Sequence, residues 1–290
     1  MNDIYAVVIL YNPNVNFLIS NLPNILSQVN KVVLVDNSTS SLQLTSEFDS
    51  CVYIANHENL GIAKAQNIGI KYAIDDGAEY VILFDQDSEV DNKLITSLHQ
   101  SFVASKDAYK LACVGPRVLD VFSNKKVSPL VQKEKFTVDG LTVCSQIIAS
   151  GKMISKDAVL AVGYMEDELF IDGVDHEWCW RAVSKGFNVA IDENAVMTHQ
   201  LGEGRKSFCG IKYKISAPIR LYYQFRNILN LSRRDYVPVY WKLRNLFAIP
   251  ARFFLMSLQL NRKEYIRYML KGILHGIKGQ YGSIEKKSAV

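Results

Sequence analysis

The segment YVILFDQDS, at residues 80–88, decides the fold class of this chain. Its first five residues are apolar or aromatic, as in a buried strand, and two carboxylates, Asp85 and Asp87, end the run. If the chain stays extended, side chains two residues apart point the same way, so both carboxylates would face the rim of the sheet. The pattern therefore predicts a strand that delivers two acids to one edge.

Two adjacent acids repel each other unless a cation lies between them. Hard divalent ions such as Mg²⁺ or Mn²⁺ take carboxylate ligands and complete their coordination with substrate phosphates. Asp85 and Asp87 therefore favour a nucleotide diphosphate held through a metal at a strand end. A solvated turn after the strand is the alternative interpretation, because Asp and Ser are ordinary turn residues.

Further strand-like and helix-like segments alternate with this one in the first half of the chain. This alternation predicts an α/β protein with a mainly parallel central sheet flanked by helices. The predicted strands are Tyr5–Leu10, Val32–Val35 and Tyr80–Phe84, and the predicted helices are Phe17–Gln28 and Ile62–Ile74. Ligands of such sheets bind beyond the carboxyl ends of the strands, where Tyr11, Asn12 and Asp36 join the two acids. The turn after the first strand lacks glycine, which argues against a dinucleotide cofactor.

Composition and charge limit the other possibilities. The 290 residues are 49% hydrophobic and allow one large domain, or one domain with an appendage. No secretory signal pattern opens the chain, and five scattered cysteines without a Cys-x-x-Cys argue for a reducing compartment and against structural zinc. We therefore expect a cytoplasmic protein.

These motifs together resemble family 2 glycosyltransferases with the GT-A fold, a Rossmann-like fold for nucleotide-diphospho-sugars. The resemblance covers roughly residues 4–230 and rests on VVILYN at 7–12, DNS at 36–38, the segment 59–69 and FDQDS at 84–88. The last form is most similar to the bacterial rhamnosyltransferase branch. The resemblance implies a metal-dependent, inverting transferase that uses a nucleoside-diphosphate sugar.

The resemblance also assigns roles to residues on the donor side. It implies nucleotide-sugar binding by Tyr11, Asn12, Asp36, Asn67 and Asp85. Asp36 suits a pyrimidine base because a carboxylate accepts the imide N–H of the ring. Asn67 would project from its helix near the nucleotide, although a small-residue helix packed tightly on the sheet explains residues 59–69 equally well.

A divalent metal, Mn²⁺ or Mg²⁺, is implied with three ligands: Asp87, Asp85 and His199. The ion would neutralise charge that develops on the departing diphosphate. His199 follows a strand pattern at Asn188–Ile191 and matches the histidine of the family that reaches the metal or diphosphate. A structural or exposed histidine is the alternative.

The segment FIDGVDHEWCWR at 170–181 resembles the acceptor-site motif of the family. By position, Asp175 matches the general base, which must remove the proton of a sugar hydroxyl, a poor nucleophile. Asp172 and Trp178 would contact the acceptor. Helix capping by either aspartate is the alternative. Glu177 and Arg181, four residues apart, are expected to form a structural pair.

The C-terminal part of the chain is basic and aromatic. From Arg205 onward 18 Lys and Arg accompany three acidic residues, a net charge of +15 against +4 for the whole chain. Residues 240–260 are apolar but interrupted by charges, which favours a helix at a membrane surface over a spanning helix. A core-packing helical hairpin and a dimer contact are alternatives, and no nucleic-acid-binding module is present. Arg220 and Arg226 would reach a diphosphate or an anionic lipid-linked acceptor, or else be surface charges.

The sequence thus predicts a GT-A catalytic domain at 1–232, with a nucleotide-sugar half at 1–110 and an acceptor half at 111–232. A basic, aromatic helical region follows at 233–290. The predicted activity transfers L-rhamnose from dTDP-rhamnose to a glycan or lipid-linked acceptor of a bacterial surface polysaccharide such as O-antigen or capsule. A UDP-hexose-dependent family 2 transferase and a catalytically silent nucleotide-sugar-binding subunit are the alternatives.

Overall fold

A nine-stranded mixed sheet with helices on both faces forms the body of the molecule, and three further helices pack at its C-terminal end. The computed structural model describes residues 3–43, 45–120, 133–199, 205–208, 211–214, 216–259 and 261–284. The strands are β1 (Ile4–Leu10), β2 (Lys31–Asp36), β3 (Cys51–Ala55), β4 (Tyr80–Asp85), β5 (Leu111–Asp120), β6 (Phe136–Val138), β7 (Leu141–Cys144), β8 (Lys152–Ser155), β9 (Asn188–His199), β10 (Arg205–Phe208) and β11 (Ile211–Lys214). The helices are α1 (Val15–Leu26), α2 (Ile62–Asp75), α3 (Leu94–Tyr109), α4 (Lys156–Val162), α5 (Val174–Ser184), α6 (Pro218–Ser232), α7 (Val239–Ser257) and α8 (Arg262–Ile277).

The strand order of the large sheet is β3-β2-β1-β4-β8-β5-β9-β7-β6. Strands β3, β2, β1 and β4 are parallel, whereas β8 runs antiparallel to β4 and β5. The chain builds outward from β1 through β2 to β3 and then returns to place β4 on the other side of β1. Such a switch point opens a crevice at the carboxyl ends of the two central strands, and ligands of α/β sheets bind in that crevice.

Strand β1 shows that an apolar core lies on each face of the sheet. All seven of its residues are buried, as expected for a parallel strand covered on both faces. Val7 packs in the apolar cluster beneath α2 and α5, and Val8 packs in the cluster beneath α1 and α3. The predicted α/β fold is therefore confirmed, and each predicted strand or helix of the first half lies within two residues of an observed one.

The two acids of the opening motif do not project from one extended strand. Strand β4 ends at Asp85, and the N–H of Ser88 donates to the carbonyl of Asp85 at 3.1 Å, which closes a turn through Gln86 and Asp87. The expectation that Asp85 and Asp87 share one face of a strand is therefore wrong, because period-2 alternation ends with the strand. Asp87 is exposed at the tip of this turn.

The predicted C-terminal helical extension is confirmed as α7 and α8, both packed against α6. Glycines make the contact close: a side chain at Gly272 of α8 would meet the carbonyl oxygen of Tyr222 at 2.5 Å. Trp241 of α7 joins the main core, with its ring 5.0 Å from that of Trp180. Among the described residues, no helix combines the length and apolarity needed to span a membrane.

Candidate active site

Hydrogen bonds join the loops that follow β1, β2 and β4 at the switch point. The N–H of Tyr11 donates to Gln86 Oε1 at 2.7 Å, and Gln86 Nε2 donates to the Tyr11 carbonyl at 3.1 Å. The N–H of Asn12, which has a φ of +46°, donates to Ser38 Oγ at 2.7 Å. Tyr11, Asn12, Asp36 and Asp85 therefore lie along one edge, as predicted, and we call this set the donor edge.

Asp36 is the most enclosed acid of the donor edge, with 1% of the residue exposed. Its carboxylate accepts hydrogen bonds from the N–H of Ser38 at 2.9 Å, the N–H of Leu42 at 3.0 Å and the Tyr53 hydroxyl at 2.6 Å. Burial raises its pKa, but these hydrogen bonds outweigh burial and leave the pKa below the ordinary value. The Asp36 carboxylate is therefore anionic and holds the loop after β2 through these hydrogen bonds. Its contact with a pyrimidine base stays a prediction.

Asn67 faces away from the donor edge. Its amide nitrogen donates to the Met165 carbonyl at 2.9 Å and to Asp167 Oδ1 at 2.5 Å, and its amide oxygen accepts from the N–H of Met165 at 2.8 Å. These bonds tie α2 to the segment that precedes α5. The predicted contact of Asn67 with a nucleotide has no support here, and the tight-packing alternative explains the segment.

A strained loop places the start of α5. Phe170 and Asp172 have φ of 66° and 65°, a region that residues other than glycine rarely adopt. The Asn227 side chain of α6 holds this loop by donating to the carbonyls of Leu169, Ile171 and Asp172 at 2.8–3.0 Å. The strain is therefore maintained by specific bonds directly beside the predicted catalytic segment.

Asp175 lies in the first turn of α5, two residues after the N-cap, Gly173. Its Oδ1 accepts from the N–H of His176 at 2.9 Å, Oδ2 lies 3.9 Å from His176 Nε2, and 24% of the side chain is exposed. Burial raises the pKa of Asp175, but His176 and the Lys152 ammonium outweigh burial and lower it below the ordinary value. The carboxylate is therefore anionic at neutral pH and open to a ligand, and it also satisfies one helix N–H, as the capping alternative requires.

Lys152 connects the two sides of the site. It is fully buried on β8, its Nζ donates to the Asp175 carbonyl at 3.1 Å, and it lies opposite Leu83 of β4. Asp85 lies two residues beyond Leu83. One buried ammonium thus fixes the start of α5 next to the end of β4.

The Asp172 carboxylate forms an ion pair with Arg220 of α6 and is not free to bind an acceptor substrate. Arg220 Nε lies 3.1 Å from both carboxylate oxygens and Nη2 lies 3.0 Å from Oδ1. Burial raises the pKa of Asp172, and the Arg220 charge opposes that shift. An acceptor would therefore meet Asp172 as a neutralised pair.

A cavity of about 240 Å³ opens beside these residues. Asp172 and His176 contribute one wall from the start of α5, and Asn227 contributes another from α6. Helix α7 closes the cavity with Arg244 and Arg252. Asp175 is not part of the lining itself, but its chain neighbours Gly173 and His176 are, and we call this the acceptor-side cavity.

Two residues predicted to touch ligands belong to the core. Trp178 is fully buried and its Nε1 donates to the Gly163 carbonyl at 2.7 Å, so the predicted acceptor contact is wrong. Arg226 is also fully buried and donates to the carbonyls of Glu168 and Leu169 at 3.2 and 2.8 Å. It therefore anchors the loop before α5 instead of reaching a diphosphate.

The predicted pair of Glu177 and Arg181 is confirmed, with bonds of 2.9 and 3.0 Å. Glu177 is fully buried and also accepts from Tyr236 at 2.7 Å and from Arg234 at 3.3 Å. This network fixes the inner face of α5, so that the outer face can carry Asp175.

The metal prediction rests partly outside the described residues. The backbone of His199 pairs with that of Asp120 at the end of β9, but its side chain is not among those described. Among the described residues, no group of three or more His, Cys, Asp or Glu is assembled for a metal. Asp85 and Asp87 supply two hard oxygen donors across one turn, a set that suits a divalent ion whose remaining ligands are phosphate and water.

Comparison with known proteins identifies the family. The family described as "Glycosyl transferase family 2" matches residues 5–159. The chain is 35% identical to "dTDP-rhamnosyl transferase RfbF" of Shigella flexneri over 97% of each protein. The chain belongs to glycosyl transferase family 2. A second relative in sequence is "Low-salt glycan biosynthesis hexosyltransferase Agl10" of Haloferax volcanii, 23% identical over 99% of this chain and 94% of that protein.

Solved structures confirm the GT-A fold of this family 2 glycosyltransferase. A crystal structure of GalNAc-T7 with UDP, GalNAc and Mn²⁺ has a TM-score of 0.59 and 15% identity, and covers all of this chain and 57% of its own. Staphylococcus aureus TarS 1-349 with UDP-GlcNAc has a TM-score of 0.56 and 14% identity, and covers 95% of this chain and 81% of its own.

Sequence reasoning missed Lys152, His176, Arg244 and Arg252. Lys152 carried a readable signal, since it is a charged residue that opens an apolar strand pattern. Arg252 carried another, because Trp241, Asn245 and Arg252 are spaced as one helical face, and the first two are buried. His176 and Arg244 gave no signal that distinguishes them from surface charges.

Proposed function

We propose that this family 2 glycosyltransferase is an inverting rhamnosyltransferase that transfers L-rhamnose from dTDP-rhamnose to a glycan or lipid-linked acceptor in bacterial surface polysaccharide synthesis. The near full-length identity of 35% with a dTDP-rhamnosyl transferase carries the donor assignment. The anionic Asp175 beside the acceptor-side cavity supports direct displacement.

Asp175 is the general base of this proposal. It accepts the proton of the acceptor hydroxyl while the hydroxyl oxygen bonds to the anomeric carbon and the bond from that carbon to the diphosphate oxygen breaks. The nucleoside diphosphate leaves with the bonding electrons, and the configuration at the anomeric carbon inverts. Lys152 and His176 keep Asp175 deprotonated before the step, and the rigid inner face of α5 holds its position.

Asp85 and Asp87 would hold the divalent ion, Mn²⁺ or Mg²⁺, together with His199. The ion, when bound, neutralises negative charge on the leaving diphosphate. The residues of the donor edge orient the donor around it: Asp36 fixes the loop after β2, and the paired Tyr11 and Gln86 fix the loops after β1 and β4.

A UDP-hexose donor is the second candidate, favoured by the hexosyltransferase among the sequence relatives. The base pocket alone separates the candidates weakly, since thymine differs from uracil by one methyl group worth about 1 kcal/mol of burial. Discrimination must therefore come from polar contacts to the sugar, where a group left unpaired penalises the wrong hexose.

A competition assay tests the proposal. The protein receives dTDP-rhamnose, UDP-glucose, UDP-galactose and UDP-N-acetylglucosamine together with Mn²⁺, and hydrolysis and transfer products are resolved by mass spectrometry. We expect dTDP-rhamnose to be consumed fastest. Preference for a UDP-hexose would overturn the rhamnosyl assignment, and consumption of none would favour a silent nucleotide-sugar-binding subunit.

We also propose that the protein works at the inner face of the cell membrane through α7. Leu243, Phe247 and Phe254 recur at helical spacing and are 51%, 78% and 56% exposed. Arg262 and Lys263 at the start of α8 are also exposed. Exposed aromatic residues in a basic helical region are typical of helices that lie on anionic lipid. A lipid-linked acceptor would then reach the enzyme from the membrane surface.

A further inference from the structure

Helix α7 has two functional faces. Trp241, Asn245 and Arg252 recur at intervals of four and seven residues along one face of the helix. Trp241 and Asn245 are buried, Arg252 is partly buried and lines the acceptor-side cavity, and Leu243 and Phe247 are exposed. A partly buried arginine beside a second positive charge is costly unless an anion compensates its charge. Arg252 therefore needs an explanation that packing alone does not give.

No protein anion meets this need among the residues that the structure describes. Neither Arg252 nor Arg244 makes a hydrogen bond or an ion pair there, and both line the acceptor-side cavity. Asp172, the acid among the residues that line the cavity, is already bound by three contacts from Arg220. Burial and the adjacent Arg244 charge lower the pKa of Arg252, and Asp172 only partly opposes the shift.

The remaining wall of the cavity suits a small polar anion. The start of α5 contributes the positive end of a helix dipole, and His176 adds a potential donor. A volume of about 240 Å³ falls below the roughly 300–1,000 Å³ of sites that enclose drug-sized ligands. The cavity is therefore sized for one charged group and not for a whole oligosaccharide.

We propose that Arg244 and Arg252 form a binding site for the phosphate or diphosphate group of the acceptor substrate. Guanidinium groups bind phosphate oxygens with paired, charge-assisted hydrogen bonds. The bound anion positions the acceptor so that its sugar hydroxyl reaches Asp175. This inference rests on the proposed glycosyl transfer and names the chemical class of the acceptor, a glycan attached to a phosphate.

Equilibrium binding of inorganic pyrophosphate tests the site without turnover. The full-length protein is titrated in EDTA, so that no divalent ion links the probe to Asp85 and Asp87. We expect Arg252→Gln and Arg244→Gln each to weaken binding about tenfold or more, the loss typical of a charged hydrogen bond. Arg267→Gln, which removes an exposed charge of α8, is the matched control and should bind like the wild type.

Two further measurements keep the test decisive. Arg252→Lys retains the charge but not the paired hydrogen bonds, so it should lose less affinity than Arg252→Gln. Thermal melting checks that each variant is folded. If Arg252→Gln does not fold, the exposed Arg244→Gln still answers the question. Equal pyrophosphate affinity in wild type and Arg244→Gln, or an equal loss in Arg267→Gln, would overturn the proposal.

The donor diphosphate is the competing source of the same chemistry. Affinity for dTDP in Mn²⁺ should be equal in wild type and Arg252→Gln, because the donor edge binds that ligand. A loss as large as that for pyrophosphate would assign the arginines to the donor and overturn the acceptor site. Neither titration depends on rhamnose transfer, so failure of the rhamnosyl assignment in the donor competition is a separate result.

Discussion

The donor edge and the acceptor-side cavity have opposite charge. Asp36 and Asp85 make the donor edge acidic, and Asp87 adds a third acid in the turn beside it. The acceptor-side cavity instead has two arginines and an aspartate that Arg220 already neutralises. A diphosphate can approach the acidic edge only with a cation between them. The basic cavity can bind an anion directly. The protein can therefore distinguish two phosphate-bearing substrates by whether a metal accompanies them.

The largest expected effect tests the base that lies between these regions. Asp175→Asn keeps the size of the side chain but removes its proton affinity, so we expect transfer to fall by roughly 10²–10⁴-fold. Affinity for dTDP in Mn²⁺ should stay unchanged, because the donor edge is intact. Steady-state kinetics and calorimetric titration measure the two quantities.

Asp157→Asn is the matched control, since Asp157 also lies in the first turn of a helix but is 69% exposed and pairs with Lys106. Turnover near that of the wild type in Asp175→Asn would show that Asp175 only caps the helix and is not the base.

The second-largest expected effect is on ligand binding with and without a metal, which should differ between the donor edge and the acceptor-side cavity. Removing one charged ligand costs about 1.5–3 kcal/mol, so Asp87→Ala should bind dTDP roughly 10–100-fold more weakly in Mn²⁺. His199→Ala should act in the same direction. In EDTA, these variants and the wild type should bind dTDP equally weakly, whereas binding of pyrophosphate in the acceptor-side cavity should persist.

Glu89→Ala, which removes an exposed acid two residues from Asp87, is the control for this test. Equal affinity of wild type, Asp87→Ala and His199→Ala for dTDP in Mn²⁺ would exclude the shared metal site.

The pH dependence of activity tests whether the buried charge of Lys152 lowers the pKa of Asp175. The acid limb of activity should lie below the ordinary Asp pKa of 3.8, because Lys152 and His176 lower the pKa of Asp175. Lys152→Met removes one of these charges, so the pKa of Asp175 should rise. The base is then protonated, and activity is lost, at a higher pH than in the wild type.

Lys156→Met, which removes a lysine that directly follows β8 and pairs with Glu79, should leave the profile in place. A parallel loss at every pH in Lys152→Met would assign Lys152 a structural role only.

The sequence predicted the donor edge better than the cavity for a physical reason. Residues that follow parallel strands reach one edge of a sheet whatever the details of packing, so Tyr11, Asn12, Asp36 and Asp85 were placed together correctly. The end of β4 was predicted to within one residue, but the two acids were expected to share one extended face, whereas the turn named as the alternative forms at Gln86 and Asp87. Short strand β3 and the antiparallel β8 were missed because their apolar runs are brief.

The cavity depends on helix faces, which the sequence alone does not orient. Trp178 and Asn67 were assigned to ligands, yet their helices turn them towards the core and towards the loop before α5. Arg252 lies about 80 residues from Asp172, and only the packing of α7 against α6 brings them to one cavity. The spacing within α7 shows that Arg252 shares a face with Trp241 and Asn245, but no spacing in the sequence shows that this face meets Asp172.

The smallest expected effect concerns the outer face of α7, where the cavity helix would meet lipid. A ring inserted partway gains only part of the roughly 1.5–3 kcal/mol of complete burial, so Phe247→Ser and Phe254→Ser should each weaken vesicle binding by about fivefold. Sedimentation with vesicles of phosphatidylglycerol and phosphatidylcholine measures it. Binding should also fall with added salt, since the surrounding arginines and lysines are screened.

Leu160→Ser is the matched control, because Leu160 of α4 is 65% exposed but lies outside the basic C-terminal helices. If all three variants bind like the wild type, α7 does not contact lipid, and its exposed stripe calls for another partner. If only the α7 variants are weakened, one helix presents aromatic residues to the membrane and arginines to the cavity behind it. An acceptor held in lipid by its tail would then meet Arg244 and Arg252 through its phosphate before its sugar reaches Asp175.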